Sequence, residues 1–248
     1  MTLQRRISVA FVPVMLLVAG LIIFLAYIFT RQILTDNAYK EAKAIATRYA
    51  AEVSRRLEMP LDAARTLAQS FEVSDSIPAG ERRSALSAML KQVEVRNKDF
   101  LAVWTICEPD AVDGLDQKFQ NTPGNSEKGR FTAVWSRGSS DVELSNSTED
   151  DVANNDYYQV PLKTHRETAL QPYLDSYVEG QPKILMTSVI VPVMSGEGKF
   201  LGVVGIDIGL ATTDAMIGAI HPYEKGFAFL LGSGGDVIAY PPDASQVT

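Results

Sequence analysis

Between Ile7 and Thr30 the chain carries no charged residue. The run VAFVPVMLLVAGLIIFLAYIF at its centre is long enough, as a helix, to cross a hydrocarbon layer about 30 Å thick. Secretory signals have apolar cores of only roughly 7–15 residues, and no small-residue cleavage site follows, so the segment reads as a retained anchor. Beyond it, Ile45, Tyr49, Val53, Leu57, Leu61, Ala64, Ala68 and Phe71 recur at steps of four and three, which predicts one long helix over 31–72 with a single buried stripe. Pro60 falls inside that stripe and is expected to kink or split the helix near Glu58 and Met59. A second helix is predicted from about Ala79 to Val95, with Leu86, Met89, Leu90 and Val93 on one face.

From Phe100 the period changes to that of strands. FLAVWTIC predicts a half-buried strand, FTAVWSR a second and VELS a third, the last two joined by a turn at Gly138-Ser139-Ser140-Asp141. Asn146 to Asn155 is polar and acidic, a loop or a short capped helix. Two β-branched runs, Ile184 to Met194 and Phe200 to Ile208, flank Ser195-Gly196-Glu197-Gly198-Lys199 and predict a β-hairpin. Strict alternation places Asp207 on the face of Leu201, Val203, Gly205 and Gly209, opposite Phe200, Gly202, Val204, Ile206 and Ile208. A carboxylate on a buried strand is costly unless paired, and glycines beside it leave room above the sheet for a ligand. A capping or salt-bridged aspartate is the plainer alternative. A last, short hairpin is expected from Phe227 to Leu231 and Val237 to Tyr240, turning at Gly232-Ser233-Gly234-Gly235-Asp236.

Charge then orients the chain. Arg5 and Arg6 precede the span and all 30 acidic residues follow it, so the positive-inside rule puts the N-terminus in the cytoplasm and 31–248 outside. The net charge of −7 argues against nucleic acid as a partner. Cys107 is the only cysteine, His165 and His221 are isolated, and no metal or other cofactor is implied. Asp110, Asp113, Gly114 and Asp116 lie in the polar stretch from Pro109 to Gly129 but lack the register of an EF-hand, which predicts a solvated loop. No G-x-S-x-G elbow or nucleophile–base pair is present, so the chain reads as a binding protein and not an enzyme.

The ordered segments FLAVWTICEPDAVDG, GRFTAVWSRG, NDYYQVPLKT, QPYLDSYVEG, ILMTSVIVPV and GKFLGVVGIDIGL resemble the extracytoplasmic double Cache domain of bacterial methyl-accepting chemotaxis receptors. The resemblance covers roughly 31–248. It implies an α/β protein: a cytoplasmic start and transmembrane helix (1–30), a long membrane-emergent helix (31–72), a PAS-like antiparallel-sheet module that binds the ligand (73–210), and a linker helix with the start of a second, incomplete Cache module (211–248). The expected whole is the N-terminal part of a longer inner-membrane receptor, a homodimer bound to lipid through 7–30, with the sensor of a histidine kinase or diguanylate cyclase, and after it a membrane-anchored periplasmic enzyme, as the alternatives.

The resemblance also assigns candidate ligand-binding residues. Tyr157 and Tyr158 match the family's aromatic pair, Tyr173 a later tyrosine, and Asp207 the carboxylate that holds an amino group. Where amino-acid-binding members have an arginine two positions before the aromatic pair, this chain has Asn155, which cannot neutralise a carboxylate. Arg137 is the nearest substitute. Trp135 is read as either core or cleft, and Trp104 as core. Aromatics around a carboxylate suit an amine or a nitrogen-rich planar ring such as a purine.

Overall fold

A computed structural model describes residues 3–138, 141–177, 180–223, 225–232, 234–235 and 237–240. Parts of the turns expected at 138–141 and 232–236, and the tail 241–248, lie outside the described residues. The chain forms two compact units, 1–51 and 52–248. In the first, helix α1 (Leu3–Glu72) begins, and its apolar side chains from Phe11 to Leu34 are exposed. It is long and apolar enough to cross a membrane.

Pro60 does not split α1, which is helical from Leu3 to Glu72. Leu57 and Leu61, on either side of it, pack against the core, and Ala64, Leu67, Ala68 and Phe71 are buried in it. Tertiary packing of one apolar face on both sides of the proline holds the helix where the missing donor alone would break it.

In the second unit α1 is followed by α2 (Ala79–Arg96), β1 (Phe100–Cys107), β2 (Ala133–Arg137), β3 (Val142–Asn146), α3 (Glu149–Asn154), α4 (Asp156–Thr164), β4 (Thr168–Ala169), β5 (Tyr173–Asp175), β6 (Ile184–Met194) and β7 (Phe200–Gly209). Then come α5 (Ala211–Gly218) and the separate hairpin β8 (Leu230–Leu231) and β9 (Val237–Ala239). The main sheet is antiparallel in the order β3-β2-β1-β7-β6-β4, with β5 also on β6. The C-terminal part of α1, with α2, covers one face through Phe71, Leu86, Leu90, Val103 and Ile206. On the other face α3 and α4 pack through Val152 and Tyr158 on Ala102, Trp104, Ile190 and Val203. Covered on both sides, β1 is buried at every position but Leu101, instead of on one face only.

The predicted 184–208 hairpin is present, but its alternation is broken. Val193 pairs with Gly202 and Met194 with Phe200, so Leu201 is an extra residue on β7. One extra residue exchanges the faces beyond it: Leu201 packs with the α1/α2 core and Phe200 with the α3/α4 core, the reverse of strict alternation. Gly202 sits at the irregularity with φ +147, where a Cβ would lie 2.4 Å from the Ile106 carbonyl oxygen. A second irregularity, between Phe100 and Ala102, brings Ala102 opposite Asp207.

The acidic stretch after β1 is not a solvated loop. Arg83 of α2 is buried beneath it and donates from Nε and Nη2 to Asp113, both at 2.8 Å, from Nη2 also to Asp116, and from Nη1 to Asn125 Oδ1 and the Gly129 carbonyl, each at 2.6 Å. The Asp113 side chain is 0% exposed. A buried guanidinium is tolerated only with its donors satisfied, and the carboxylates that supply the acceptors lie about thirty positions further along the chain. Next to α3 the expected cap is present: Thr148 and Asp151 form a reciprocal capping box.

Removing one partner of a buried ion pair strands the other. Asp113→Ala is expected to lower unfolding stability by about 3 kcal/mol, Asp116 and Asn125 compensating in part. Denaturant melts of the variant test this; a loss within about 0.5 kcal/mol is what a solvated loop would give.

Candidate functional site

The two central strands put a carboxylate in the middle of the sheet. Ala102 of β1 and Ser188 of β6 lie directly opposite Asp207 of β7, and Ser136 of β2 lies opposite Ala102. Two positions further toward the hairpin end, on the same face, Val134, Trp104, Gly205 and Ile190 are aligned in the same way. Asp207 is 1% exposed. It accepts from Trp104 Nε1 at 3.0 Å and from the Tyr177 hydroxyl, and Ser188 bonds it as well. Tyr173 reaches the same place, its hydroxyl 2.7 Å from Ser188 Oγ.

Gly205 is explained by Trp104, not by a ligand. A Cβ there would stand 2.1 Å from the indole ring, so the glycine lets the ring lie across β7 with its N–H directed at Asp207. Trp104 is therefore core, as predicted, and also cleft wall. Tyr157 meets it edge-on, with centroids 5.4 Å apart.

Over this part of the sheet lies a cleft of about 910 Å³, bounded by Ser145–Ser147 at the end of β3, by α3 and α4, and by the strap 168–177. Carboxylates reach its lining from Asp151, Asp156, Asp175 and Asp207, and aromatic rings from Trp104, Tyr157, Tyr173 and Tyr177. Among the described lining residues there is no lysine, arginine or histidine. Burial raises the Asp207 carboxyl above the usual range, opposed by the hydrogen bonds from Ser188, Tyr177 and Trp104. Burial likewise pushes Tyr157 up to about 12, and burial next to Asp207 raises Tyr173 and Tyr177. All three tyrosines stay protonated at neutral pH and present O–H groups.

Of the seven residues singled out in the sequence, the cleft brings together four: Asn155, Tyr157, Tyr173 and Asp207. The Asn155 amide donates to the Asp151 carbonyl at 2.8 Å and to the Tyr157 hydroxyl at 3.4 Å, so its two hydrogens are engaged within the wall. The other three lie elsewhere. Trp135 and Arg137 alternate with Val134 and Ser136 and so face α2: Trp135 Nε1 donates to Ser87 Oγ at 3.0 Å, and Arg137 donates to the carbonyls of Glu94, Asn97 and Phe100. Tyr158 follows Tyr157 by one position on a helix, about 100° round the axis. It is 2% exposed, with Arg130 over its ring and its hydroxyl bonded to Arg130 and Glu108. Tyr177, Ser188, Asp151 and Asp175 were not singled out; for Ser188 the usable signal was its predicted strand pairing with β7.

Comparison with known proteins agrees with this architecture. The sequence model of a family described as methyl-accepting chemotaxis protein-like, first PDC sensor domain, matches residues 86–214. The methyl-accepting chemotaxis protein TlpQ of Pseudomonas aeruginosa is 29% identical over 153 residues, covering 56% of this chain and 21% of that protein. The chain thus spans about a fifth of that relative's length. Among solved structures, the extracellular domain of the putative histidine kinase mmHK1S-Z2 superposes with a TM-score of 0.74 at 27% identity, over 85% of this chain and 75% of that one. The structure titled methyl-accepting chemotaxis protein X gives 0.67 at 28% identity, over 88% and 77%.

Two outcomes follow from the site's packing and charge. Gly205→Ala forces the Trp104 ring off the strand and is expected to destabilise by about 1–3 kcal/mol; loss of the buried-tryptophan fluorescence signature at lower denaturant checks it. The Asp207 carboxyl has a higher pKa folded than its ordinary 3.8, so folding favours its protonated form. That stabilisation is complete below about 3.8 and is lost as pH rises through the folded value. Asp207→Asn keeps the shape and does not titrate. Without ligand, its melting temperature relative to wild type is expected to climb from acid to neutral pH; a constant difference would show that Asp207 titrates alike in both states.

Proposed function

Because the chain belongs to the methyl-accepting chemotaxis protein-like, first PDC sensor domain family, we propose that it is the sensing part of a transmembrane receptor whose cleft holds a small protonated amine against Asp207. The observation that carries this reading is the sign of the lining: four aspartates and, among the described residues, no basic side chain. An amino acid's carboxylate would find no counter-charge there, since Asn155 is engaged within the wall and Arg137 lies on the other face. An ammonium group is suited both to the carboxylate and to the faces of Trp104, Tyr157 and Tyr173, each cation–π contact contributing about 0.5–2 kcal/mol when desolvated. A neutral purine could stack on the same rings but would leave the charge of the lining uncompensated.

The receptor reading extends beyond the cleft. The exposed apolar stretch of α1 anchors the chain in the inner membrane, with 31–248 outside and two copies pairing along the helix as it leaves the bilayer. The residue just before the strap, Glu167, receives a bidentate pair of hydrogen bonds from Arg65 Nε and Nη2 on α1, at 2.7 and 2.6 Å. A ligand that moves the strap therefore acts on the helix that leads to the membrane. The output beyond the chain is a chemotaxis signalling module, or a kinase, as the histidine-kinase sensor of the same fold allows.

Thermal-shift screening of the full chain in detergent against amines, purines, amino acids and organic acids tests the reading. An amine at a hundred times its dissociation constant should stabilise by about 2.7 kcal/mol. Asp207→Asn should reduce its affinity ten- to a hundred-fold, the loss of a charge-assisted hydrogen bond worth about 1.5–3 kcal/mol. Hits confined to carboxylic acids, or conversion of a hit to product, would overturn the proposal.

A further inference from the structure

Asp207 belongs to the lining of the cleft and yet is 1% exposed. A group entering the cleft meets the carboxylate only if something that covers it moves. Its own donors form part of that cover: Trp104 Nε1 on Oδ1 at 3.0 Å, the Tyr177 hydroxyl on Oδ2, and Ser188. They differ in how firmly they are held. Trp104 is buried, and its ring lies so close over Gly205 that a Cβ there would stand 2.1 Å from it. Ser188 is buried within β6, directly opposite Asp207, and its Oγ is 2.7 Å from the Tyr173 hydroxyl. Tyr177 lies beyond the last pair of β5, Asp175 with Ile184, and its ring is only partly buried where it packs on the cluster that includes Trp104.

A ligand donor that takes the place of the Tyr177 hydroxyl exchanges one hydrogen bond to the carboxylate for another. For a neutral O–H or N–H the exchange is like for like, with nothing left to offset the cost of turning the tyrosine out. An ammonium adds the attraction of two opposite charges, which is strongest where water is excluded. Burial beside Asp207 keeps the tyrosine O–H protonated at neutral pH, so the competing donor is itself neutral.

We propose that Tyr177 is a specificity-determining residue of the cleft: its hydroxyl stands in for the ligand's donor at Asp207 and sets a threshold that a cationic donor crosses and a neutral donor of the same shape does not. This rests on the reading of Asp207 as the carboxylate that receives an ammonium group. It adds that the rejection of neutral ligands comes from a competitor within the chain, carried on the strap and not on the sheet.

Titration calorimetry of the full chain in detergent, with benzylamine and benzyl alcohol as probes, tests the threshold. The two share a ring that can stack on Trp104, Tyr157 or Tyr173 and differ in carrying an ammonium or a hydroxyl. Wild type is expected to bind the amine and not the alcohol. Tyr177→Phe removes only the competing hydroxyl, and should bind benzylamine about tenfold tighter, the worth of one hydrogen bond, while acquiring measurable affinity for benzyl alcohol. Benzylamine bound more weakly, or equally, by Tyr177→Phe would overturn the proposal, because the hydroxyl would then be a ligand contact or a bystander. Amide hydrogen exchange without any probe separates this from the amine reading. Loss of the hydroxyl should speed exchange at the amides of β5, next to Tyr177, and leave Leu170, whose amide donates to the Ser188 carbonyl at 2.9 Å, unchanged. Unaltered exchange in β5 would overturn the proposal; faster exchange in β5 with benzylamine bound by neither protein would fault the amine reading and not the hold of Tyr177 on the carboxylate. If Tyr177→Phe does not fold, wild type decides: saturating benzylamine should speed exchange in β5, and slower or unchanged exchange there would overturn the proposal.

Discussion

Removing a carboxylate from water costs several kcal/mol unless donors replace its hydration shell, and the central part of this molecule is arranged around meeting that cost at Asp207. Its donors come from separate elements: the Trp104 indole from β1, Ser188 from β6 and the Tyr177 hydroxyl from the strap beyond β5. Each imposes a further condition. The indole reaches Asp207 only by lying over a residue with no side chain, hence Gly205. Ser188 reaches it through register, being directly opposite on β6. Tyr177 requires the strap to fold back over the sheet, and the strap is held to β6 by pairing of Thr168 with Ile190 and of Tyr173 with Met186.

Three buried charged groups show three outcomes of the same physics. Arg83 is fully answered, by two carboxylates, an amide and a carbonyl, and the loop it organises is structural. Asp207 is answered by neutral donors alone, which keep it in place but leave its charge uncompensated, as suits a group that meets a cation. Glu94 has a counter-charge beside it, Arg137 at 3.3 Å, but no hydrogen bond to either oxygen. The gradation separates a residue whose partners stabilise the fold from residues whose burial costs stability.

Much of this was legible in the sequence where the signal is local. The 184–208 hairpin, α2, the strand from Phe100 and the importance of Asp207 follow from β-branched runs, a helical period and one misplaced charge. What was not legible depends on irregularity or distance. An extra residue at Leu201 reverses the faces beyond it, and the irregularity near Leu101 sets which residues of β1 meet Asp207; neither is visible in alternation. Trp135 and Arg137 face α2 because of pairing register, which the strand sequence AVWSR leaves open. Tyr157 and Tyr158 look equivalent as a pair, yet on a helix only one of two neighbours faces the cleft. Asp113 and Asp116 read as solvated because Arg83, their partner, belongs to a different element far upstream.

The same hydrogen bonds set up a competition for the carboxylate. Tyr177 occupies one oxygen of Asp207 and Trp104 the other, and a carboxylate has about four acceptor positions. An incoming N–H group must share the carboxylate with the tyrosine hydroxyl or displace it. Trp104 belongs to the sheet core and is packed against Gly205, so it has no alternative position. Tyr177 belongs to the strap, at the end remote from the Arg65–Glu167 pair that fixes the start of that segment to α1. Of the two aromatic donors to the carboxylate, the one free to yield is therefore the one whose displacement changes the strap. On the proposed reading of Asp207 as the carboxylate that holds the ligand, ligand entry would displace Tyr177 and with it the outer wall of the cleft.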